Sequence, residues 1–491
     1  MRSSFAVRAA CLHGVEARPV TVEIDISGGL PGITIVGMPD AAVMEARSRV
    51  RCALRSSGFD VPRAHITVNL APGDMRKQGS GFDLPIAVGI LGASAQIPAD
   101  GLDGALVVGE MSLEGDVASV RGEVAYQLLA RDLGLALVSG RLSEQYVVPD
   151  VERLEVRALA DLRRPRGEWP VPSMRPTVEG AKPPAIDFAD VSGQEFAKRA
   201  LAVAACGGHG VLMVGPPGSG KTMLAERLPT ILPPIDAEDA REALRIHSVA
   251  GEDLSGLLAG RRPFRSPHHT ISFAGMVGGG RPIRPGEASL AHAGVLFLDE
   301  LGEFAPQTLQ TLRQPMEEGV VRLVRVEGAF TLPARFQLVA ASNPCPCGHL
   351  GDPDVPCTCS AARIERYRAK LGGPLADRID IALSVSRPDA GEIVEGRAGR
   401  SSSDLLEAVR AGRAFAARRR EGAARSKDNA LAVLLLTPEA EEALVSVARS
   451  AAMTGRGVVR LARVARTVAD MAESESVRPE HVLEAAAYRC G

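Results

Sequence analysis

A chain of 491 residues is too long for one hydrophobic core, so two or three domains are expected. With 45% apolar and 24% charged residues the composition is that of a globular protein, and a net charge of −2 leaves no whole-surface field for nucleic acid. Any grip on DNA or RNA must come from local basic loops, and 3% aromatics argue against holding single strands by base stacking. The start shows no basic-then-apolar leader, and no uncharged run reaches the ~18–20 residues of a membrane span, so a cytoplasmic protein with no membrane partner is expected.

The first third alternates short β-rich runs (VTVEIDI, ITIVGM, AHITVNLA, ALVVGEMSL) with helical stretches (DAAVMEARSRVRCALRSSG, FDLPIAVGILGASAQ, EVAYQLLARDLG). That alternation predicts an α/β or α+β domain over residues 1–162. Six prolines from Pro165 to Pro184 exclude a helix or an interior strand, so residues 163–185 read as an extended linker. A strand-loop-helix unit, VLMVGPPGSGKTMLAERL, follows, with two further apolar strands in VLFLDE and FQLVAASN. Strands this apolar suit a parallel sheet covered on both faces, over residues 186–395. From residue 396 to 491 the pattern is helical (SDLLEAVRAGRAFAARRR, PEAEEALVSVARSAA, VRLARVARTVADMA), and Arg418, Arg419 and Arg420 read as a solvated helix face.

Gly215-Pro216-Pro217-Gly218-Ser219-Gly220-Lys221-Thr222 fits G-x-x-x-x-G-K-[ST] between an apolar strand and a helix. Glycines let backbone N–H groups converge on the phosphates of ATP, Lys221 adds a point charge, and Thr222 is placed to ligate Mg²⁺. An acidic pair should end a neighbouring buried strand. Asp299 and Glu300 do so, Asp299 for the Mg²⁺ shell and Glu300 to polarise the attacking water. Asn343 ends the next strand as a sensor of the γ-phosphate, with Ser342 its local competitor. Arg378 reads either as a surface salt bridge or as an arginine finger acting in trans, and Arg456 either as a solvated helix residue or as a second sensor.

Two C-x-C pairs, Cys345/Cys347 and Cys357/Cys359, crowd into fifteen residues; structural Zn²⁺, free thiols and disulfides all remain open, with His349 a substitute ligand. The stretch between Thr222 and Asp299 is longer than a strand-helix-strand unit needs. It carries Arg265-Ser266-Pro267-His268-His269 and the glycine-rich run to Arg281 and Arg284, and a later strand pair carries Arg322 and Arg325. These arginines are either solvated hairpins or loops that track DNA phosphates without reading bases. His268 and His269 read as metal ligands or, more simply, as loop structure.

These residues in this order resemble an AAA+ ATPase, more closely the magnesium-chelatase-like branch that includes the bacterial proteins ComM and YifB. The resemblance covers nearly the whole chain, through DISGGLPGITIVGMPD, VNLAPGDMRKQGSGFDLPIAVGIL, FRSPHHTISFAGMVGGG, RPGEASLAHAGVLFLDELGEF, LRQPMEEG and NPCPCG. It implies a homo-oligomeric ring, expected to be a hexamer, with ATP between neighbours and branched or single-stranded DNA as the partner of a branch-migration helicase. It also implies that Val191, Gly193 and Gln194 pack near the adenine, that Arg378 is the trans finger and that Arg456 is sensor 2; Ala376 departs from the leucine of the family pattern. The alternatives are a magnesium-chelatase motor subunit and a protein-remodelling chaperone. The first domain resembles the proteolytic domain of Lon, but Gly81 stands at the nucleophile's position and Val124 at that of the catalytic lysine. Neither can do that chemistry, and Ser80 is one residue off, so no protease activity is expected.

Overall fold

The computed structural model describes residues 4–98, 102–141, 146, 148–171, 186–325, 328–352, 355–371, 375, 378–387, 391, 399–422 and 434–489. Ala376 and the proline-rich stretch beyond residue 171 lie outside them.

The first domain is built on a seven-stranded sheet in the order Gly32–Val36, His65–Ala71, Glu16–Ser27, Ser4–His13, Ala105–Val107, Ala136–Ser139, Arg153–Glu155. Ser4–His13 and Glu16–Ser27 form a long antiparallel hairpin, Ser4 opposite Asp25 and His13 opposite Glu16. The helix Asp83–Ala93 is buried on every side, which its unbroken apolar run DLPIAVGILGA requires. It lies close against the hairpin because it carries glycines: a Cβ on Gly89 would stand 2.5 Å from Ile24 Cγ1, and one on Gly92 2.8 Å from the Phe5 ring. Asp83, the one charge in this helix, is compensated by a two-pronged ion pair with Arg49 at 2.8 and 2.9 Å. The domain runs past residue 162: Leu159–Arg163 and Arg166–Glu168 make short helical turns, and Trp169 is buried in the domain's core. Part of the stretch expected as linker is therefore folded against the sheet, because one large aromatic there outweighs its proline-rich neighbours.

The second domain carries five parallel strands in the order Phe264–Arg265, Val295–Leu298, Gln337–Ser342, Val211–Val214, Ile381–Ser384. Helices Glu195–Gly207 and Lys221–Ile231 share its core. Among its described residues the third domain has four helices, Ser402–Gly422, Pro438–Ser450, Gly455–Met471 and Pro479–Ala487. It docks on the Glu195–Gly207 side of the second through one continuous apolar cluster. Buried His209 joins the two, its ring nitrogens 3.1 Å from Asp380 and 2.8 Å from Thr467. Arg419 is not solvated as its sequence context suggested. It lies buried against Asp470, at 3.0 and 3.1 Å, and Arg466 reaches the same carboxylate at 3.0 Å.

The first and second domains also pack together. Val124, at the start of Glu123–Asp132, is buried beside Ala243, Leu244 and Leu257, and its N–H donates to Ser248 Oγ at 3.3 Å. The position of a Lon lysine is thus a docking contact. Gly81 faces Val120, and Ser80 donates to the carboxylate of Glu110 at 2.6 Å rather than to a lysine.

Candidate nucleotide site

The loop Gly215–Gly220 leaves the C-terminal end of Val211–Val214 and turns directly into the helix beginning at Lys221. Gly218 and Gly220 have φ of +78° and +86°, which side chains rarely adopt, so only glycine makes this cradle without strain. Lys221 folds back to donate to the carbonyls of Gly215 (2.7 Å) and Pro216 (2.9 Å), and reaches Ser219 Oγ at 3.4 Å. Burial pulls its pKa below the usual lysine range, and the Asp299 carboxylate opposes that shift. Thr222 Oγ1 donates to Asp299 Oδ2 at 3.0 Å. A hydroxyl and a carboxylate held together are hard oxygen donors suited to Mg²⁺.

Register explains the convergence. Val214 pairs with Ser342, and Leu298 with Ala340, so Asp299 and Asn343 emerge at the same edge of the sheet as the loop. Ser342 hydrogen-bonds Tyr367 Oη at 3.1 Å, which leaves Asn343 as the polar group beside the loop. A Cβ on Gly348 would stand 2.8 Å from Pro217 and 3.9 Å from Asn343 Cγ, so the segment after Asn343 touches the phosphate cradle. Glu300 sits at φ +52°, a strained backbone of the kind that marks functional sites. His269 Nδ1 lies 3.4 Å from Glu300 Oε2, with its ring tilted against that of His268 and edge-on to Phe304. Sequence reasoning left His269 as loop structure; the fold makes it the partner of the acid.

Val191 is buried, and its carbonyl accepts from Lys198 at 2.7 Å. Gly193 and Gln194 both have φ of +60°, and Gln194 donates to the Ser386 carbonyl at 2.6 Å. Arg227 of the loop's helix bonds Asp190 at 3.0 Å, tying this segment to the phosphate cradle.

Arg378 and Arg456 lie elsewhere. Together with Arg460 and Arg463 they line a cleft of about 520 Å³ that also includes Gly208, Gly210 and Leu338. Those residues precede or open the strands whose far ends carry the loop, since Val211 pairs with Val339 and Ile381. At ~3.3 Å per residue the two edges stand roughly 16 Å apart, so neither arginine reaches its own subunit's cradle. Arg456 lines this cleft and does not stand beside the phosphate cradle of its own chain. Arg378 pairs with Glu317, and burial together with Arg313, Arg456 and Arg460 lowers its pKa. Four arginines against Asp380 in the lining and Glu317 at its edge leave the cleft with an excess of positive charge that favours an incoming anion.

Cys345, Cys347, Cys357 and Cys359 bring four sulfurs within 4.8 Å of one another. Sγ···Sγ separations of 3.4, 3.6 and 3.6 Å exclude disulfides and approach the ~3.8 Å edge of a tetrahedron with Zn–S near 2.3 Å. Backbone N–H groups of His349 and Thr358 pull the Cys347 thiol down, while burial and the neighbouring thiols push Cys359 and Cys357 up, so without a metal the cluster favours one thiolate shared among protonated neighbours. His349 instead holds the buried Asp352 at 3.1 Å. Asp352 also pairs with Arg387 at 3.2 Å, and Arg387 donates to the Pro217 carbonyl at 3.3 Å. The cysteine loop is therefore braced onto the phosphate cradle.

The candidate DNA arginines occupy two hairpins, Gly278–Gly279 with Arg284–Pro285 and Val320–Arg325 with Gly328–Pro333. Arg322 pairs with Glu318 at 3.1 Å, and Arg325 approaches Gly279 of the other hairpin. Arg265 is locked between Glu287, at 2.6 and 2.8 Å, and Glu252, at 3.1 Å, so it is a structural residue and not a mobile phosphate contact. His13 stacks on Phe330 at 4.2 Å, so the hairpins meet the first domain.

Comparison with known proteins agrees with this arrangement. The family described as "Magnesium chelatase, subunit ChlI" matches residues 187–393, "Subunit ChlI of Mg-chelatase" residues 22–139, and "Magnesium chelatase, subunit ChlI C-terminal" residues 399–489. YifB of Escherichia coli is 40% identical over 97% of this chain and 95% of its own. Competence protein ComM of Haemophilus influenzae is 38% identical over the same shares. The chain belongs to the magnesium-chelatase-like AAA+ ATPase family. Its first domain is the family's Lon-like ChlI domain, its parallel sheet the AAA+ core and its last domain the helical one. Family membership makes ATP with Mg²⁺ the chemistry of this site. No helix among the described residues is long and apolar enough to cross a membrane.

Proposed function

We propose that this chain is an ATP-driven DNA motor, a cytoplasmic hexameric helicase that promotes branch migration of the kind used in natural transformation. The observation that carries the composite site is the split between two sheet edges: cradle, Asp299, Glu300 and Asn343 on one, Arg378 and Arg456 on the other. A site whose anion-seeking arginines cannot reach its own phosphates is completed by a neighbouring copy, which a closed ring supplies.

In this reading Thr222 and Asp299 hold Mg²⁺, which when bound neutralises phosphate charge. Lys221 turns from the Gly215 and Pro216 carbonyls to the phosphates, the segment around Val191, Gly193 and Gln194 borders the adenine, and Asn343 senses the terminal phosphate. Glu300 accepts the proton of the attacking water, and His269 holds that carboxylate until the site is assembled. Arg378 and Arg456 of the next subunit stabilise charge on the transferring group. The four cysteines hold a structural zinc that stiffens the cradle through Asp352, Arg387 and Pro217. Arg281, Arg284, Arg322 and Arg325 are the DNA-facing arginines.

The name of the Haemophilus relative, a competence protein, supports DNA as the partner. The test is strand exchange on a branched DNA substrate together with DNA-stimulated ATPase. Wild type is expected to do both and Lys221→Ala neither. Strand exchange that persists in Lys221→Ala, or ATPase indifferent to any DNA but stimulated by a protein partner, would overturn the motor reading.

A further inference from the structure

The helix Ala361–Leu371 opens two residues after Cys359 and contributes little to any core: among residues 361–370 only Tyr367 is buried, in the highly charged run RIERYRAK. A helix that buries one side chain gains little from hydrophobic burial, so its contribution is where it puts that side chain.

Tyr367 stands between the two strand ends of the nucleotide site. Its ring covers Gly302 so closely that a Cβ there would lie 2.7 Å from Tyr367 Cε2. The backbone at Gly302 is not left-handed, so the ring, and not a turn, is what requires a glycine. Gly302 is the middle of Leu301–Glu303, the turn that follows Glu300, and the Glu303 N–H ties that turn to the Glu300 carbonyl at 2.8 Å. Lys370, one helical turn beyond Tyr367, donates to the Gly302 carbonyl at 3.2 Å. On the other side the Tyr367 hydroxyl meets Ser342 Oγ at 3.1 Å. Ser342 gives its own proton to the Asn343 carbonyl at 3.1 Å, so Tyr367 is the donor. The Ser342 carbonyl in turn accepts from the N–H of Gly215, the first residue of the cradle, at 3.2 Å. Burial raises the Tyr367 pKa, and Glu303 and Glu300 lie close enough to add to the rise, so the phenol keeps the proton that this bond requires.

We infer that Tyr367 is a positioning residue for ATP hydrolysis: bonded to Ser342 and seated on Gly302, it sets the separation of Asn343 and Glu300, which flank the terminal phosphate and its attacking water. This rests on the roles proposed above for Glu300 and Asn343 and deepens them. A phenylalanine would fill the same space over Gly302, so the hydroxyl serves the bond to Ser342 and not the packing.

The test compares the full chain with Tyr367→Phe and Gly302→Ala by steady-state ATPase and by binding of a fluorescent ADP. Tyr367→Phe keeps the ring and should melt at the wild-type temperature. Its kcat should fall roughly tenfold while KM and ADP affinity stay within about twofold, because the cradle is intact and only the place of the water is disturbed. Gly302→Ala keeps the hydroxyl but drives the ring from the turn, and should show the same split. On a Glu300→Gln background, Tyr367→Phe should cost less than about twofold more, since the group it positions is already gone. A kcat within about twofold of wild type in Tyr367→Phe, or in Gly302→Ala should Tyr367→Phe fail to fold, would overturn the inference. A loss of kcat matched by an equal loss of ADP affinity would overturn it too, as the mark of a general structural role. Glu300→Gln that turns over like wild type would instead sink the reading of Glu300, and the assignment of Tyr367 with it.

Discussion

If the arginines act in trans, activity destroyed by two different substitutions should reappear when the two proteins are mixed. Lys221→Ala removes the cradle's charge, and Arg378→Ala removes the finger that the neighbouring subunit offers. Each homo-oligomer should lose turnover by roughly 10³-fold or more, about 4 kcal/mol of transition-state stabilisation. The distance between the sheet edges makes the next step quantitative. Because the Arg378 backbone lies beside Gly210, at the end of the strands opposite the cradle and roughly 16 Å of strand away, an interface needs only one intact residue from each of its two contributors. In rings mixed at random in equal amounts, about a quarter of interfaces join an intact cradle to an intact arginine, so about a quarter of wild-type turnover should return. Steady-state ATPase after co-refolding or subunit exchange reads this directly. Mixed rings no more active than the average of the two parents, or Arg378→Ala within threefold of wild type on its own, would refute the trans assignment.

Three further outcomes follow from buried groups. Metal analysis should find one zinc per chain, and its removal, or Cys357→Ser, should raise KM for ATP by roughly 3- to 10-fold, about 0.7–1.4 kcal/mol; zinc-free protein with unaltered KM would break the link through Asp352 and Arg387. Asp470→Asn leaves the buried guanidiniums of Arg419 and Arg466 without their countercharge and should cost about 3–5 kcal/mol by denaturant titration, where a loss under 1 kcal/mol would show the pair to be solvated. His292 is fully buried, and burial, with Arg335 and Arg245, lowers its pKa from 6.5 to about 3; Glu242 lies 3.0 Å from its Nε2 and opposes that shift, but both Glu242 and Asp239 are shared with Arg335 at 2.9 and 2.6 Å, so burial prevails. A depressed histidine pKa means the unfolded chain binds the extra proton, so this contribution is complete above pH 6.5 and declines toward pH 3. Wild type should lose about 2 kcal/mol more than His292→Asn between pH 7 and 5, and equal losses would exclude the linkage.

Some features of this protein are legible in the sequence because they are local. GPPGSGKT needs positive φ at particular positions and a helix to follow, and both requirements are met within ten residues. The apolar runs VLMV, VLFL and QLVAAS announce buried parallel strands, because only a sheet covered on both faces tolerates them. The C-x-C pairs lie close enough in the chain for their sulfurs to meet almost wherever the loop goes.

What the tertiary structure decided concerns register, and which edge or surface a residue faces. The strand edge beside which Arg378 and Arg456 lie is encoded by no spacing in the sequence. Arg419 reads as solvated until Asp470, fifty-one residues later, is brought against it. His269 reaches Glu300, and Arg265 is pinned by two carboxylates, only when distant segments pack. The phosphate-binding loop could be found from its residues alone, because its chemistry is contained in its own backbone. Its partners across the sheet could not, because long-range packing alone brings them together.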